Sequence, residues 1–186
     1  MTAYGRRLVD QFDSASETCS TLSDLADLIA AAAHEMGFAH FALLHHVSLF
    51  APSAGVVRLD TYPEDWTAEL VSSHLGSIDP VHHACTRTNL GFAWERLGEL
   101  TPIGPHEREM LVRARRFGLA DGFTVPINIP GEPTGSCTFV VRAGKDLPRA
   151  RLLGAEQIGA HAFDVARRLV GLAGPTRGAR LTPRER

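Results

Sequence analysis

Residues 123–129 and 136–142 form two apolar runs joined by Pro130-Gly131-Glu132-Pro133. Proline presets φ at a turn and glycine supplies positive φ, so this stretch predicts a β-hairpin and, with it, an antiparallel sheet. A second pair, residues 38–47 and 56–61, flanks a Pro/Ser/Gly loop at 52–55, and Val57, Leu59 and Thr61 share one face of its second strand. Hairpin connections are too short for the crossovers that parallel strands need, which excludes a doubly wound sheet. The chain carries no G-x-G-x-x-G, Walker or H-E-x-x-H pattern either.

Helical spacing surrounds these strands. Leu8, Val9 and Phe12 predict a helix over 3–16, and Leu22, Leu25, Leu28, Ile29 and Ala32 a stronger one over 21–36. Asp24 and Asp27 lie toward the positive end of the second helix, and Gly37 is placed to cap its C-terminus. Pro63 opens a helix over 64–75, and Asp79-Pro80, a cap followed by proline, opens a short one over 80–88. Residues 91–94 are extended. Pro105 starts a helix over 105–117, with Met110, Leu111 and Ala114 inward and Gly118 stopping it. The last helix, 149–172, carries Leu152, Leu153, Ala155, Ile158, Ala162, Val165, Leu169 and Leu172, an apolar stripe wider than one sheet face needs. Helices before, between and after antiparallel hairpins predict an α/β fold, an α-β-α sandwich.

Composition sets the class. A chain of 186 residues with 44% hydrophobic residues fits one globular domain, and a formal charge of −2 gives no sign of general nucleic-acid affinity. The longest apolar stretch, 28–33, is far short of the roughly 20 residues that span a bilayer. No apolar run follows the N-terminal arginines, so no secretory signal is expected. Cys19, Cys85 and Cys137 have no C-x-x-C spacing, and a cytoplasmic setting is expected. Residues 1–173 are the expected domain. The tail 174–186, with Arg177, Arg180, Arg184 and Arg186 among Gly and Pro, is an expected linker.

The chemistry concentrates in Tyr62-Pro-Glu-Asp-Trp66, Ile78-Asp79-Pro80 and Gly91-Phe-Ala-Trp94, which hold both tryptophans. Trp and Tyr combine a large apolar body with one polar tip. Around a shared apolar space such groups make a small-molecule pocket with a few convergent polar atoms. The alternative is that Trp66 and Trp94 are core and Asp79 only caps a helix. His45-His46, His74 and His82-His83 lack the spacing of metal ligands, since neighbours on a strand or helix diverge, and no metal is expected. His82 and His83 are expected on a solvated helix face. Cys85 falls one turn after Val81, toward the pocket floor, with no activating base in view.

The order and spacing of these motifs resembles the autoinducer-binding domain of LuxR-type quorum-sensing regulators. The likeness rests on Y-P-x-x-W, D-P with its Asp thirteen residues later, a Trp fifteen residues after that, Gly122-Phe-Thr-Val-Pro126 and Gly135-Ser-Cys-Thr138. It covers residues 20–172, and Leu181-Thr-Pro-Arg-Glu-Arg186 resembles the opening of the family's helix-turn-helix domain. The resemblance implies a GAF/PAS-like sandwich with a five-stranded antiparallel sheet and an N-acyl-homoserine lactone between sheet and helices. It implies that Trp66 donates to the lactone carbonyl and that Asp79 accepts from the ligand amide. Tyr62, helped by Thr138, would donate to the acyl carbonyl, with Trp94 flat on the lactone ring. Ala42, Leu44, Leu70, Val81, Met110 and Phe123 would wall the acyl chain. Thr67, Leu70 and Val81 depart from some relatives, and the last two suit an unsubstituted or bulky tail. The implied protein is a cytoplasmic transcription factor without a cofactor. It would act as a homodimer that meets DNA through a C-terminal domain beyond this chain, with no membrane partner. An enzyme of hydrolase or acyltransferase type would need a nucleophile with a base in reach, and G-x-S-x-G is absent; a GAF-like module without a ligand is the third possibility.

Overall fold

In the computed structural model the described residues are 3–47, 56–72 and 79–172. The expected loop at 52–55, the end of the helix begun at Pro63, His74, Ile78 and the tail 174–186 lie outside them. Helix α1 (Ala3–Ser16) leads into α2 (Leu22–Met36). Thr21 caps α2 by accepting from the Asp24 N–H, and the Asp24 carboxylate accepts from the Thr21 N–H in return, a reciprocal box. Gly37, at φ 95°, ends the helix in the left-handed conformation that a side chain resists.

Strands β1 (His40–His45) and β2 (Arg58–Asp60) pair antiparallel, as the apolar pair at 38–47 and 56–61 predicts. Then come α3 (Glu64–Ser72), α4 (Pro80–Cys85), β3 (Phe92–Ala93), α5 (Leu97–Leu100) and α6 (Pro105–Arg116). Strands β4 (Asp121–Ile127) and β5 (Gly135–Val141) and helix α7 (Leu152–Leu169) complete the chain. The sheet has five strands in the order β2-β1-β5-β4-β3, with every pairing antiparallel.

The β4–β5 hairpin is longer at its open end than the apolar runs suggest. Asp121 pairs with Val141 and Ile127 with Gly135, so Asn128 and Ile129 join the connection rather than the strand. The short helix α5 and the 3-10 turn at Trp94–Arg96 before it had no expected counterpart. Such brief turns follow tertiary packing and lack both a repeat of the apolar period and a side-chain cap.

One continuous core lies between the sheet and α1, α2 and α7. Phe41, Leu43, Phe139, Ile158 and Phe163 are fully buried there with Leu25 and Ile29 of α2. The breadth of the α7 stripe has its explanation here. Leu8 and Phe12 of α1 belong to the same cluster as Ala155, Ile158, Ala162 and Val165, so α1, α2 and the sheet together cover it. Leu153 departs from the stripe and is exposed. No described helix is long and apolar enough to cross a membrane.

Candidate functional site

Successive residues of a strand point to opposite faces. Phe41, Leu43, Val125, Cys137, Phe139 and Val141 face the α1/α2/α7 core. Their neighbours Ala42, Leu44, Gly122, Thr124, Ser136, Thr138 and Val140 therefore face the other side, toward α3, α4 and α6. On that side the apolar side chains form two clusters. Trp66, Met110, Ala114, Leu119 and Val140 make one, with Tyr62, Leu70 and Phe117 against it. Val81, Ala84, Cys85, Phe92 and Leu97 make the other. Trp94 packs against both.

The row of β5 on this side connects them. Val140 belongs to the first cluster. Ser136, four residues away, stands beside the Cys85 thiol of the second. Thr138 lies between, 3.0 Å from Thr124 across the strand pair, and the Trp94 indole N–H donates to Thr124 Oγ1 at 3.0 Å. Thr124 thus has its own O–H for Thr138, which leaves the Thr138 hydrogen for another acceptor, or it accepts from Thr138 instead. The Trp94 ring lies against Gly122: a Cβ there would sit 2.8 Å from Cε2 of the indole.

Asp79 caps α4 as expected. Oδ1 accepts from the Val81 N–H at 2.8 Å, while Oδ2 stands 3.5 Å from His82 Nε2. Capping therefore occupies one oxygen and leaves the other facing a half-buried imidazole. Burial, then the charges of Asp79 and Asp60, push the Tyr62 phenol above its ordinary range, so it stays a donor. Trp66 is 2% exposed, and neither its indole N–H nor the Tyr62 O–H has a hydrogen-bond partner among the described residues. Burial likewise raises the thiols of Cys85 and Cys137, the Asp79 charge adding to the first, which leaves both protonated and poor nucleophiles.

The structure thus brings Tyr62, Trp66, Leu70, Trp94 and Met110 into one cluster, and Val81, Thr138, Ala42 and Leu44 onto the same side of the sheet. Phe123 is a correction. It stands in the α7 core beside Val125, because an odd position on β4 points away from Thr124. His82 is a second correction: it is half-buried and its ring stacks on His46, centroids 3.8 Å apart and planes at 16°. His83 is exposed, as expected. His45 and His46 diverge as a strand requires. His45 accepts from the Val57 N–H and meets Phe163 edge-on, while His46 Nε2 is 2.9 Å from Ser136 Oγ. Thr124, Ser136 and His46 are the site residues that the sequence reading missed. Period-two alternation from Thr138 and Leu44, with the β4–β5 register, would have found all three.

The model of the autoinducer binding domain family matches residues 21–169. The chain is 29% identical to the HTH-type quorum sensing-dependent transcriptional regulator RpaR of Rhodopseudomonas palustris, over 98% of this chain and 73% of that one. Its fold is similar to that of CepR2 from Burkholderia cenocepacia, an N-acylhomoserine lactone dependent LuxR family factor. That likeness has a TM-score of 0.69 at 19% identity and covers 87% of this chain and 93% of that one. Escherichia coli SdiA is similar too, with a TM-score of 0.69 at 19% identity over 98% of this chain and 74% of that one.

Proposed function

The chain belongs to the autoinducer-binding domain family of quorum-sensing transcriptional regulators, and on that premise we propose that the space between its two inner clusters receives an N-acyl-homoserine lactone. The observation that carries this is the set of polar groups there. Trp66 N–H and Tyr62 O–H are two donors without a partner among the described residues, and the second oxygen of Asp79 is an acceptor. A lactone carbonyl, an amide carbonyl and an amide N–H are the complementary set. Trp66 takes the lactone carbonyl, Asp79 the amide N–H, and Tyr62 with Thr138 the acyl carbonyl. Trp94, fixed by Thr124 and lying on Gly122, offers its remaining face to the lactone ring. Ala42, Leu44, Leu70, Val81 and Met110 supply apolar wall.

Binding requires no covalent step. The two serine–histidine contacts among the described residues do not assemble a hydrolase. Ser16 and Asp13 meet the same nitrogen of His161, which therefore cannot both take a proton and be oriented. His46, beside Ser136, has no carboxylate on its Nδ1 among the described residues. Homodimerisation, DNA contact through a C-terminal helix-turn-helix domain and cytoplasmic residence complete the proposal. They are supported by the regulator family and by the motif at Leu181–Arg186. The test is to express the chain with a panel of acyl-homoserine lactones, purify it, and identify extracted ligand by mass spectrometry. Stoichiometric recovery of a lactone is expected; a domain that folds without one and binds none on addition sinks the reading.

A further inference from the structure

The pocket-facing row of β5, from Val140 to Ser136, is about 13 Å long at strand spacing. With the lactone carbonyl at Trp66, which packs with Val140, and the amide at Asp79, the acyl group runs toward Ser136. That end is not hydrocarbon. His46 Nε2 is bonded to Ser136 Oγ at 2.9 Å, and its ring is clamped by stacking on His82. The His46 Nδ1 is buried and has no hydrogen-bond partner among the described residues. Asp79 and His82 connect this corner to the amide site through their 3.5 Å contact.

We propose that His46, positioned by Ser136 and His82, reads a hydroxyl group on the acyl chain of the autoinducer, so that the preferred ligand is a hydroxylated acyl-homoserine lactone. The inference rests on the lactone-binding reading above. Its chemistry follows from the tautomers of a neutral imidazole. If Nε2 carries the proton and donates to Ser136, Nδ1 is an acceptor; if Ser136 donates to Nε2, Nδ1 carries the proton and is a donor. A ligand hydroxyl serves both states because it donates and accepts, whereas a ketone serves only one. Burial and the neighbouring imidazoles of His82 and His45 hold His46 neutral, its pKa lowered to about 2. A wholly hydrocarbon tail leaves the buried Nδ1 unsatisfied, as it already is among the described residues, whereas a hydroxyl supplies the missing bond. Leu70 and Val81 accept an apolar stem, so the selectivity lies beyond them.

The experiment has two stages on the purified 186-residue chain. Calorimetric titration with unsubstituted acyl lactones of several lengths finds the length accepted. At that length, lactones with one hydroxyl placed at successive carbons from the third onward are compared with the unsubstituted parent. At least one hydroxylated ligand is expected to bind about three- to tenfold more tightly than the parent, the range one net hydrogen bond supplies. In His46→Phe, which keeps the stacked ring and removes both nitrogens, the affinity ratio of the hydroxylated ligand to its parent falls to about one. His46→Leu replaces it if the first variant fails to fold. Lactones that bind with no hydroxyl preference, or a preference that survives in the folded variant, overturn this inference alone. A chain that binds no lactone, hydroxylated or not, overturns the lactone reading and this inference together.

Discussion

Asp79 divides two tasks between two oxygens, and that division makes its substitution informative. Asparagine caps helices about as well as aspartate, so Asp79→Asn keeps the bond to the Val81 N–H and the fold of α4. It replaces the acceptor facing the ligand amide with a neutral group that can turn its own N–H₂ there. Loss of a charge-assisted bond predicts about 1.5–3 kcal/mol weaker lactone binding, with an unchanged circular dichroism spectrum. Wild-type affinity would remove Asp79 from the site. Trp66→Phe keeps most of the buried ring and deletes the N–H; it should cost about 1 kcal/mol for the lactone and little for an analogue whose ring lacks the carbonyl. Equal losses would make Trp66 a packing residue. His46 predicts a pH dependence. Its folded pKa, about 2, lies below the ordinary value of roughly 6.5, so below pH 6.5 the unfolded chain takes up a proton that the folded chain refuses. Stability then falls as pH drops from 6.5 toward 5, by up to about 1.4 kcal/mol per pH unit from this residue. His45, also lowered chiefly by burial, acts in the same direction. Chemical denaturation at several pH values should show the slope, and His46→Phe should reduce it; an unchanged slope would relocate the titrating group. At this scale the sequence exposes Tyr62, Trp66, Asp79, Trp94 and Thr138, because their types and spacing are uncommon. It hides Ser136 and His46, and misdirects Phe123, because facing is decided by strand register and adjacent residues differ by half a turn.

Among the elements, α7 shows how closely a helix can be set on a sheet. Gly154 and Gly159 lie on its buried side, and a Cβ at Gly159 would meet Cys137 Cβ at 3.0 Å and Val125 Cγ2 at 3.1 Å. The Gly159→Ala change therefore forces α7 away from β4 and β5. Overpacking of this kind should destabilise by about 1–3 kcal/mol despite alanine's better helix propensity. Thermal denaturation checks this, and a more stable variant would mean that the helix has room to shift. The ion pair of Arg167 with Glu132 ties the same helix to the hairpin turn, with His45 3.7 Å from the carboxylate. The legibility of each element follows its local determinants. Helix α2 is legible to within one residue because its apolar spacing and Gly37 mark its extent, although Thr21, expected as its first residue, caps it instead. The start of α4 is legible from Asp79-Pro80. The β4–β5 hairpin is legible as a hairpin but two residues off at its start, since Asp121 and Gly122 are poor strand formers held by pairing with Val141 and Val140. Helix α5 carries no such mark and exists because Leu97 is drawn into the cluster of Val81 and Phe92.

The whole molecule is asymmetric about its sheet, and the asymmetry predicts how ligand changes its stability. On one side α1, α2 and α7 share a single continuous core with Phe41, Phe139 and Phe163. On the other, the apolar residues are split into two clusters that meet at Trp94, with Thr124, Thr138 and Ser136 along the sheet between them. Helices with fewer shared apolar contacts open at lower free energy than those in a continuous core. In the free chain, amides of α3, α4 and α6 should therefore exchange through local openings, and those of α2 and α7 nearer to global unfolding. A lactone bridging the two clusters must be released before α3 or α4 can open, so it raises the free energy of those openings. At one hundred times Kd the gain is about 2.7 kcal/mol. Fraying of α1, which has no contact with the ligand, gains nothing. Hydrogen exchange with and without lactone should show protection concentrated in residues 64–72, 80–85 and 105–116, together with a higher Tm. Protection spread equally over the ends of α1, or absent from α3 and α4, would mean that the ligand binds elsewhere and that the two inner clusters are simply core.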